Sequence, residues 1–196
     1  MTYGATSIEP DHYQFLLPKH QKLRTLAELV EVEAENIIDA TLWLDDQAVL
    51  VEQLLTQQFL RELHQRMFGD VWTWAGSLRA FESNIGVDPH EISMRWEQVL
   101  GNTLWQFEND GFDRVEAGVR FHRQMLAVHC FTNGNGRHTR LASNKLAEVA
   151  GLGTNLYTWG QRTAGSVAEA RIAYIDALAH ADKTDDYGPL VTLATS

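Results

Sequence analysis

The chain of 196 residues contains a single cysteine, Cys130, so no disulfide can form within it. It also lacks any run of eighteen apolar residues, which predicts that no helix spans a membrane. Residues 1–9 lack a basic start followed by an apolar stretch, so we expect no signal peptide. A lone thiol without an export signal favours a reducing, cytoplasmic compartment.

Basic residues are also scarce, since 16 Lys and Arg face 26 Asp and Glu and the formal net charge is −10. Such a surface repels phosphate backbones on average, which argues against direct binding of nucleic acid. A local basic site for a small phosphate ligand is still compatible with this charge. The length and the 44% hydrophobic fraction are typical of one globular domain.

Apolar periodicity predicts helices along most of the chain. A capping box at Thr25 and Glu28 begins a long first helix, whose apolar stripe comprises Leu26, Leu29, Ile37, Ala40 and Leu44. Further helices are predicted to begin at Thr56, Asp113, about Thr139, Ser166 and Tyr187, and another carries Ile92, Trp96, Val99, Thr103 and Phe107.

One stretch interrupts the helical pattern, between Trp74 and His90. Gly76, Gly86 and Pro89 break the helical spacing there, whereas Ile85 and Val87 suggest short extended pieces. We therefore predict a small β-hairpin or flap in this region.

The most informative segment is His129–Arg140, between two predicted helices. Its Gly134-Asn135-Gly136 run allows backbone N–H groups to converge, because glycine accepts the positive φ of such a turn. The helix that follows adds unpaired N–H donors at its N-terminus. Arg137 and Arg140 are three residues apart and so share one helix face, which favours a polyphosphate site.

His129 ends the helix before this loop. An unperturbed histidine has a pKa near 6.5, which suits a general base at neutral pH. A lone histidine at a helix end is more often structural than catalytic, and a lone glycine loop is a weak signal. The functional prediction therefore depends on the combination of histidine, glycine loop and two arginines.

The sequence HCFTNGNGRHTR at 129–140 resembles the signature of the Fic family, H-P-F-x-[D/E]-G-N-G-R-x-x-R. The resemblance extends over FLRELHQRMFGDVWTWAG at 59–76, over 84–87 and over the C-terminal tail, and it is closest to a subgroup called mobile mystery protein B. It implies an all-α Fido fold, a helical bundle with a short β-hairpin flap, over residues 23–196 after an N-terminal segment 1–22. The implied activity is protein adenylyltransfer, in which AMP passes from ATP to a Ser, Thr or Tyr hydroxyl of a target protein.

The resemblance also assigns roles to individual residues. His129 would take the proton from the attacking hydroxyl, and Phe131 would be a buried anchor. Gly134, Asn135 and Gly136 would form the phosphate nest, Arg137 would hold the phosphates near the bond that breaks, and Arg140 would hold the γ-phosphate. The co-substrate is ATP.

Two motif positions depart from the family pattern. Cys130 replaces proline, and we expect it to pack rather than attack, because it points about 100° away from His129. Asn133 replaces the acidic residue that ligates Mg²⁺, and an amide oxygen is a poorer ligand for this hard cation. Three outcomes follow: Mg²⁺ held mainly by the nucleotide, which we favour, catalysis with little metal, or a nearly inactive enzyme.

Many Fic proteins restrain themselves with a helix bearing [S/T]-x-x-x-E-[G/N]. Glu35-Asn36 matches the end of this pattern within the predicted helix 25–45, although Glu31 stands where Ser or Thr belongs. We therefore hypothesise that Glu35 inhibits by pairing with Arg140, with Glu33 as the lesser candidate. A solvated acidic helix face is the alternative.

Asn84, Ile85, Gly86 and Val87 align with the flap that docks a target protein, and a plain surface hairpin is the alternative interpretation. Other partners allowed by the resemblance are a small helix-turn-helix protein and a second copy of the chain. The resemblance leaves two further functions open. A Doc-like phosphotransferase toxin is disfavoured by Gly136, where that subgroup has lysine, and an idle nucleotide-binding module paired with a regulator is favoured by Asn133.

Overall fold

The computed structural model describes residues 14–23, 25–160, 162 and 165–196. Eight α-helices lie in these ranges: α1 (Leu26–Asp45), α2 (Val51–Leu54), α3 (Gln57–Phe68), α4 (Ile92–Glu108), α5 (Arg114–Val128), α6 (Asn135–Val149), α7 (Val167–Thr184) and α8 (Gly188–Thr195). Short 3-10 turns occur at Pro18–His20 and Pro89–Glu91. Residues 1–13 of the predicted N-terminal segment lie outside the described residues.

Side chains at the predicted caps explain why three of the helices begin where they do. The Thr25 hydroxyl accepts a hydrogen bond from the Glu28 amide at 3.2 Å, and the Glu28 carboxylate accepts one from the Thr25 amide at 2.9 Å. Thr56 accepts from the Phe59 amide and Ser166 from the Glu169 amide, both at 3.2 Å. These caps satisfy N–H groups that have no partner within their helix, and they confirm the predicted starts of α1, α3 and α7.

The helices enclose two neighbouring apolar clusters. The larger cluster lies between α1, α3, α4, α5 and α6, and its largest fully buried side chains include Trp72, Trp96, Phe68, Phe121 and Phe131. The smaller lies between α5, α6, α7 and α8 around Tyr157, Trp159, Leu178 and Leu190. Both clusters meet at α5 and α6, so these two helices and the loop between them are held on several sides.

None of the helices in the described ranges is long and apolar enough to cross a membrane.

The first helix packs through a different stripe from the one predicted. Leu29, Ala40 and Leu44 are buried as expected, but Leu26 is exposed. Two polar residues, Glu33 and Asn36, complete the buried face. The Asn36 amide donates to the Arg66 carbonyl at 2.8 Å and accepts from the Asp70 amide at 3.1 Å, which fixes the middle of α1 against the end of α3.

Two further predictions were wrong. Helix α6 begins at Asn135, four residues before the predicted start at Thr139, because Gly134 with φ +76° forms its N-cap. Among the described residues 74–90 no β-strand forms, so the predicted β-hairpin is absent; the only bridge in this stretch joins Leu78 to Phe131. We call residues 81–87 the flap.

Candidate functional site

The site is built around the loop from His129 to Gly134, which joins α5 to α6. His129 is the C-cap of α5 and has the left-handed backbone conformation, with φ +53° and ψ +62°. Residues other than glycine seldom adopt this conformation unless their surroundings hold them there. Its amide donates to the Met125 carbonyl at 3.1 Å, and its carbonyl accepts from Arg79 Nε at 2.7 Å.

Burial and charge set the protonation of the His129 imidazole. Burial, and then the positive charge of Arg79, lower the pKa of His129 to about 4, and the Leu126 carbonyl opposes this shift. The imidazole is therefore neutral at pH 7, which is the form that accepts a proton. The sequence places a histidine here, but only the structure shows the arginine beside it.

Phe131 anchors the loop, as the sequence predicts. Its side chain is fully buried and stacks on the His64 ring, with 3.6 Å between centroids and 11° between planes. The Trp96 and His138 rings meet it edge-on at 5.6 and 5.1 Å. The ring of Phe131 is therefore enclosed on three sides, which fixes the centre of the loop.

Asn135 holds the loop closed with its side chain. The Asn135 Oδ1 atom accepts from the Phe131 amide at 3.0 Å, and Nδ2 donates to the Phe131 carbonyl at 2.8 Å. Both ends of the side-chain amide are thus bonded within the loop, while the backbone N–H of Asn135 lies in the first turn of α6, where N–H groups have no partner within the helix.

His64 supports the loop from α3, and sequence reasoning missed it. The Gly76 amide donates to His64 Nδ1 at 2.9 Å, so Nε2 carries the proton and donates to the Asn133 carbonyl at 3.1 Å. Burial and the neighbouring His138 hold the pKa of His64 well below its usual value. The available signal was its position four residues after Leu60, on the buried face of α3.

The N-terminus of α6 carries the predicted phosphate-binding groups. Gly134 must lack a side chain, because a Cβ atom there would lie 2.5 Å from the Phe68 ring. At Gly136 a Cβ would meet no atom closer than Leu126 Cδ2 at 4.0 Å, so packing does not demand glycine and the position borders open space. The Arg137 guanidinium lies over the Phe68 ring at 4.8 Å, and that of Arg140 over the Tyr174 ring at 5.6 Å.

A carboxylate from α1 reaches this site, but it is not the one favoured from the sequence. Glu33 Oε2 lies 2.7 Å from Arg137 Nη1, and Trp72 Nε1 donates to Glu33 Oε1 at 2.6 Å. Glu35 is exposed, and no ion pair between Glu35 and Arg140 occurs in the described part of the chain. The reason is that residues two apart on a helix point about 200° apart. The lesser candidate, Glu33, makes the contact, and it does so with the first arginine of the motif.

The residues present do not form a dedicated Mg²⁺ site. The Asn133 Oδ1 atom accepts a hydrogen bond from the Gly134 amide at 2.7 Å, so the amide oxygen is engaged within the loop. No group of three His, Cys, Asp or Glu side chains suited to a metal occurs among the described residues. Hard divalent cations prefer carboxylates, and none stands at this position.

Cys130 is buried, and burial raises the pKa of its thiol. A nucleophilic cysteine requires a lowered thiol pKa, so this environment fits a packing role.

The flap lies directly against the histidine. Asn84 is exposed, Ile85 and Gly86 are half-buried, and Val87 packs against the larger core cluster. Gly86 has φ +103°, and a Cβ atom there would lie 2.6 Å from the Cβ of His129. The structure thus brings together two features that the sequence separates by more than forty residues.

Comparison with known proteins relates the chain to a family, to a curated relative and to solved structures. Residues 54–147 match the model of the Fic/DOC family. A protein adenylyltransferase of Bartonella henselae is 24% identical over 207 aligned residues, which cover 91% of this chain. The chain spans only 38% of the length of that relative.

Solved structures show the same fold. The BepC protein of Bartonella tribocorum, a VirB-translocated effector crystallised with AMPPNP, superposes with a TM-score of 0.69 at 16% identity, over 95% of this chain and 97% of that one. The Fic-1 protein of C. elegans, residues 134–508, superposes with a TM-score of 0.61 at 21% identity, over 89% and 49% of the two chains. At these identities the likeness concerns the fold alone.

Proposed function

Residues 54–147 of this chain are a domain of the Fic/DOC family, and on that premise we propose that the protein is an adenylyltransferase. It transfers AMP from ATP to a Ser, Thr or Tyr hydroxyl of a target protein. The adenylyltransferase relative supports the reaction, and the nucleotide analogue bound by BepC supports ATP as the co-substrate.

The observation that carries the proposal is a neutral imidazole held between the flap and the phosphate-binding end of α6. His129 accepts the proton of the target hydroxyl as its oxygen bonds to the α-phosphorus of ATP. The bond from that phosphorus to the bridging oxygen breaks, and pyrophosphate leaves with the electron pair. Arg137, Arg140 and the first N–H groups of α6 offset the negative charge of the phosphates.

The Glu33–Arg137 pair suggests that the enzyme is restrained in its resting state. A phosphate group competes with the Glu33 carboxylate for the same guanidinium, and both bind arginine through charge-assisted hydrogen bonds. Glu33 is nearly buried and is also held by Trp72, so it is positioned before ATP arrives. We infer that α1 is inhibitory through Glu33, in place of the Glu35 contact expected from the sequence.

The flap supplies the target-docking surface in this proposal. Gly86 lies beside His129, and no backbone hydrogen bond involving Asn84 or Gly86 is formed with other described residues. An extended target segment can therefore pair with this backbone by strand addition. The target residue to be modified would then project towards the imidazole.

A second candidate is a weak or idle nucleotide-binding module that acts through a regulator. Two observations favour it: Asn133 offers no carboxylate for Mg²⁺, and the Arg137 guanidinium is paired with the Glu33 carboxylate. A Doc-like phosphotransferase has less support, because open space borders Gly136 where that subgroup carries lysine. In the idle module and in the Doc-like enzyme alike, Mg²⁺ would be held mainly by the nucleotide phosphates.

Two measurements, made one after the other, test the proposal. Isothermal titration of the Glu33→Gln variant with ATP shows whether the pocket binds nucleotide at all. Incubation of the same variant with ATP and cell lysate, followed by mass spectrometry, then identifies the transferred group. Adenylylated peptides support the proposal, phosphorylated peptides indicate the Doc-like reaction, and ATP binding without any modified peptide indicates the idle module.

A further inference from the structure

Arg79 is a buried arginine whose guanidinium donates hydrogen bonds to three backbone carbonyls. Its Nε donates to the His129 carbonyl at 2.7 Å, Nη1 donates to the Phe81 carbonyl at 2.9 Å, and Nη2 donates to the Val87 carbonyl. Arg79 is 3% exposed, and none of the ion pairs within the described residues includes it. A buried guanidinium without a carboxylate partner is costly, so these three carbonyls are its compensation.

The three carbonyls belong to two separate parts of the chain. Phe81 and Val87 are the two ends of the flap, and His129 carries the proposed base. Two backbone hydrogen bonds join the same two parts of the chain. The Arg79 amide donates to the Cys130 carbonyl at 3.0 Å, and the Val87 amide donates to the Val128 carbonyl at 3.3 Å. One side chain thus connects both ends of the flap to the end of α5.

We propose that Arg79 is a positioning residue that holds the flap in register with His129, so that a target strand on the flap presents its hydroxyl to the imidazole. This inference rests on the proposed adenylyltransfer. The guanidinium is planar and its donors form a rigid fork, so it fixes the mutual positions of three carbonyls, which a lysine ammonium cannot do. Small displacements of reacting groups reduce turnover steeply.

Charge and geometry can be separated at this position. The charge that acts on His129 is that of Arg79, and the titratable groups that act on Arg79 are Cys130 and Asp88. Arg79→Lys keeps the positive charge and loses the fork, whereas Arg79→Gln loses both. The matched control is Arg95→Gln, which removes an exposed arginine of α4 whose ion pair within the described ranges is with Glu91.

Two readouts do not depend on activity. Hydrogen–deuterium exchange follows the Val87 amide, which should lose protection in both Arg79 variants and keep it in Arg95→Gln. NMR titration of the His129 imidazole should show a raised pKa in Arg79→Gln and a smaller change in Arg79→Lys. If the Glu33→Gln variant modifies no target, the proposed function fails, yet these two readouts still decide whether Arg79 joins the flap to His129.

The third readout is the transfer reaction itself, measured in the Glu33→Gln background. Its substrate is a target protein identified by mass spectrometry of the lysate. Both Arg79 variants should lower kcat on the order of 100-fold while the Kd for ATP stays unchanged. A Cβ atom at Gly86 would lie 2.6 Å from the His129 Cβ and 2.7 Å from Arg79 Nη2, so Gly86→Ala disturbs the same junction without removing the arginine. It should produce the same loss, and it keeps the proposal testable if the Arg79 variants do not fold. Full transfer by Arg79→Lys, or unchanged exchange at Val87 in Arg79→Gln, would overturn the proposal.

Discussion

Glu33 and Arg137 lie 104 residues apart in the chain and form an ion pair, with 2.7 Å between Oε2 and Nη1. The carboxylate is almost completely removed from water, and Trp72 holds its other oxygen. On the proposed function, a nucleotide phosphate at Arg137 would compete with this carboxylate. The pair would then couple the position of α1 to the occupancy of the proposed phosphate site.

Replacing Glu33 by glutamine should strengthen ATP binding. The substitution keeps the size of the side chain and its bond to Trp72, but it removes the negative charge that competes with phosphate. A charge-assisted hydrogen bond contributes about 1.5–3 kcal/mol, so we expect the Kd for ATP to fall at least about 10-fold. Isothermal titration measures this change, and a radiolabelled-ATP assay should show increased self-modification.

Glu35→Gln is the matched control for that experiment. It removes the same charge from the same helix at an exposed position, so ATP affinity should stay within about 2-fold of wild type. Together the two variants also test the hypothesis that Glu35 inhibits by pairing with Arg140. Activation by Glu35→Gln without activation by Glu33→Gln would show that the inhibitory residue is Glu35 after all.

His129→Ala should reduce transfer at least about 100-fold, the usual contribution of a positioned general base. ATP binding should persist, because Arg137, Arg140 and the α6 N-terminus are unchanged. The measurement compares modified target per unit time with the ATP Kd of the same variant. Retained transfer would remove the catalytic role of His129.

Asn133→Asp should increase the dependence of transfer on Mg²⁺. An aspartate supplies the charged oxygen that an asparagine lacks, and hard cations bind it more tightly. We expect the Mg²⁺ concentration that gives half-maximal transfer to fall about 10-fold. If transfer by the aspartate variant shows the same Mg²⁺ dependence as wild type, Asn133 does not limit metal use.

Acid should destabilise the fold through its buried histidines. Burial lowers the pKa of His122 to about 3 and that of His138 to about 4, against 6.5 for an unperturbed histidine. Between pH 6.5 and these lowered pKa values the unfolded chain binds more protons than the folded one. The free energy of unfolding is therefore largest above pH 6.5 and decreases as the pH falls towards 4.

Each such histidine contributes up to about 1.4 kcal/mol per pH unit in that window, so the two together give at most about 3 kcal/mol per unit. Urea unfolding at pH 7, 6 and 5 should show a falling midpoint with an unchanged m-value. His138→Gln should weaken the pH dependence by about one proton. A midpoint that stays constant from pH 7 to 5 would show that these histidines are not held neutral by the fold.

Local signals allowed most helices to be predicted. The caps at Thr25, Thr56 and Ser166 act through hydrogen bonds to residues three positions away, so the sequence contains both partners. The predicted start of α6, at about Thr139, lies after the two glycines, whereas the helix begins at Asn135. Gly134 instead uses its positive φ to begin α6, and Gly136 lies inside its first turn.

Features that depend on distant partners were harder to predict. The flap forms no hairpin because its end carbonyls are bound by the Arg79 side chain and not by an opposing strand. Glu33 and Glu35 are chemically equivalent, and only the burial of α1 distinguishes them. The spacing from Leu29 to Glu33, Asn36 and Ala40 did contain this information, because those positions share one helix face.

The chain order of the Glu33–Arg137 pair has a consequence for biosynthesis. Translation proceeds from the N-terminus, so Glu33 is joined to the chain 104 residues before the motif arginine. When α6 forms and brings Arg137 into place, the carboxylate proposed to compete with phosphate is already part of the same molecule. A newly made copy thus folds with the Glu33 carboxylate available from the outset, and it needs no separately synthesised subunit to supply that contact.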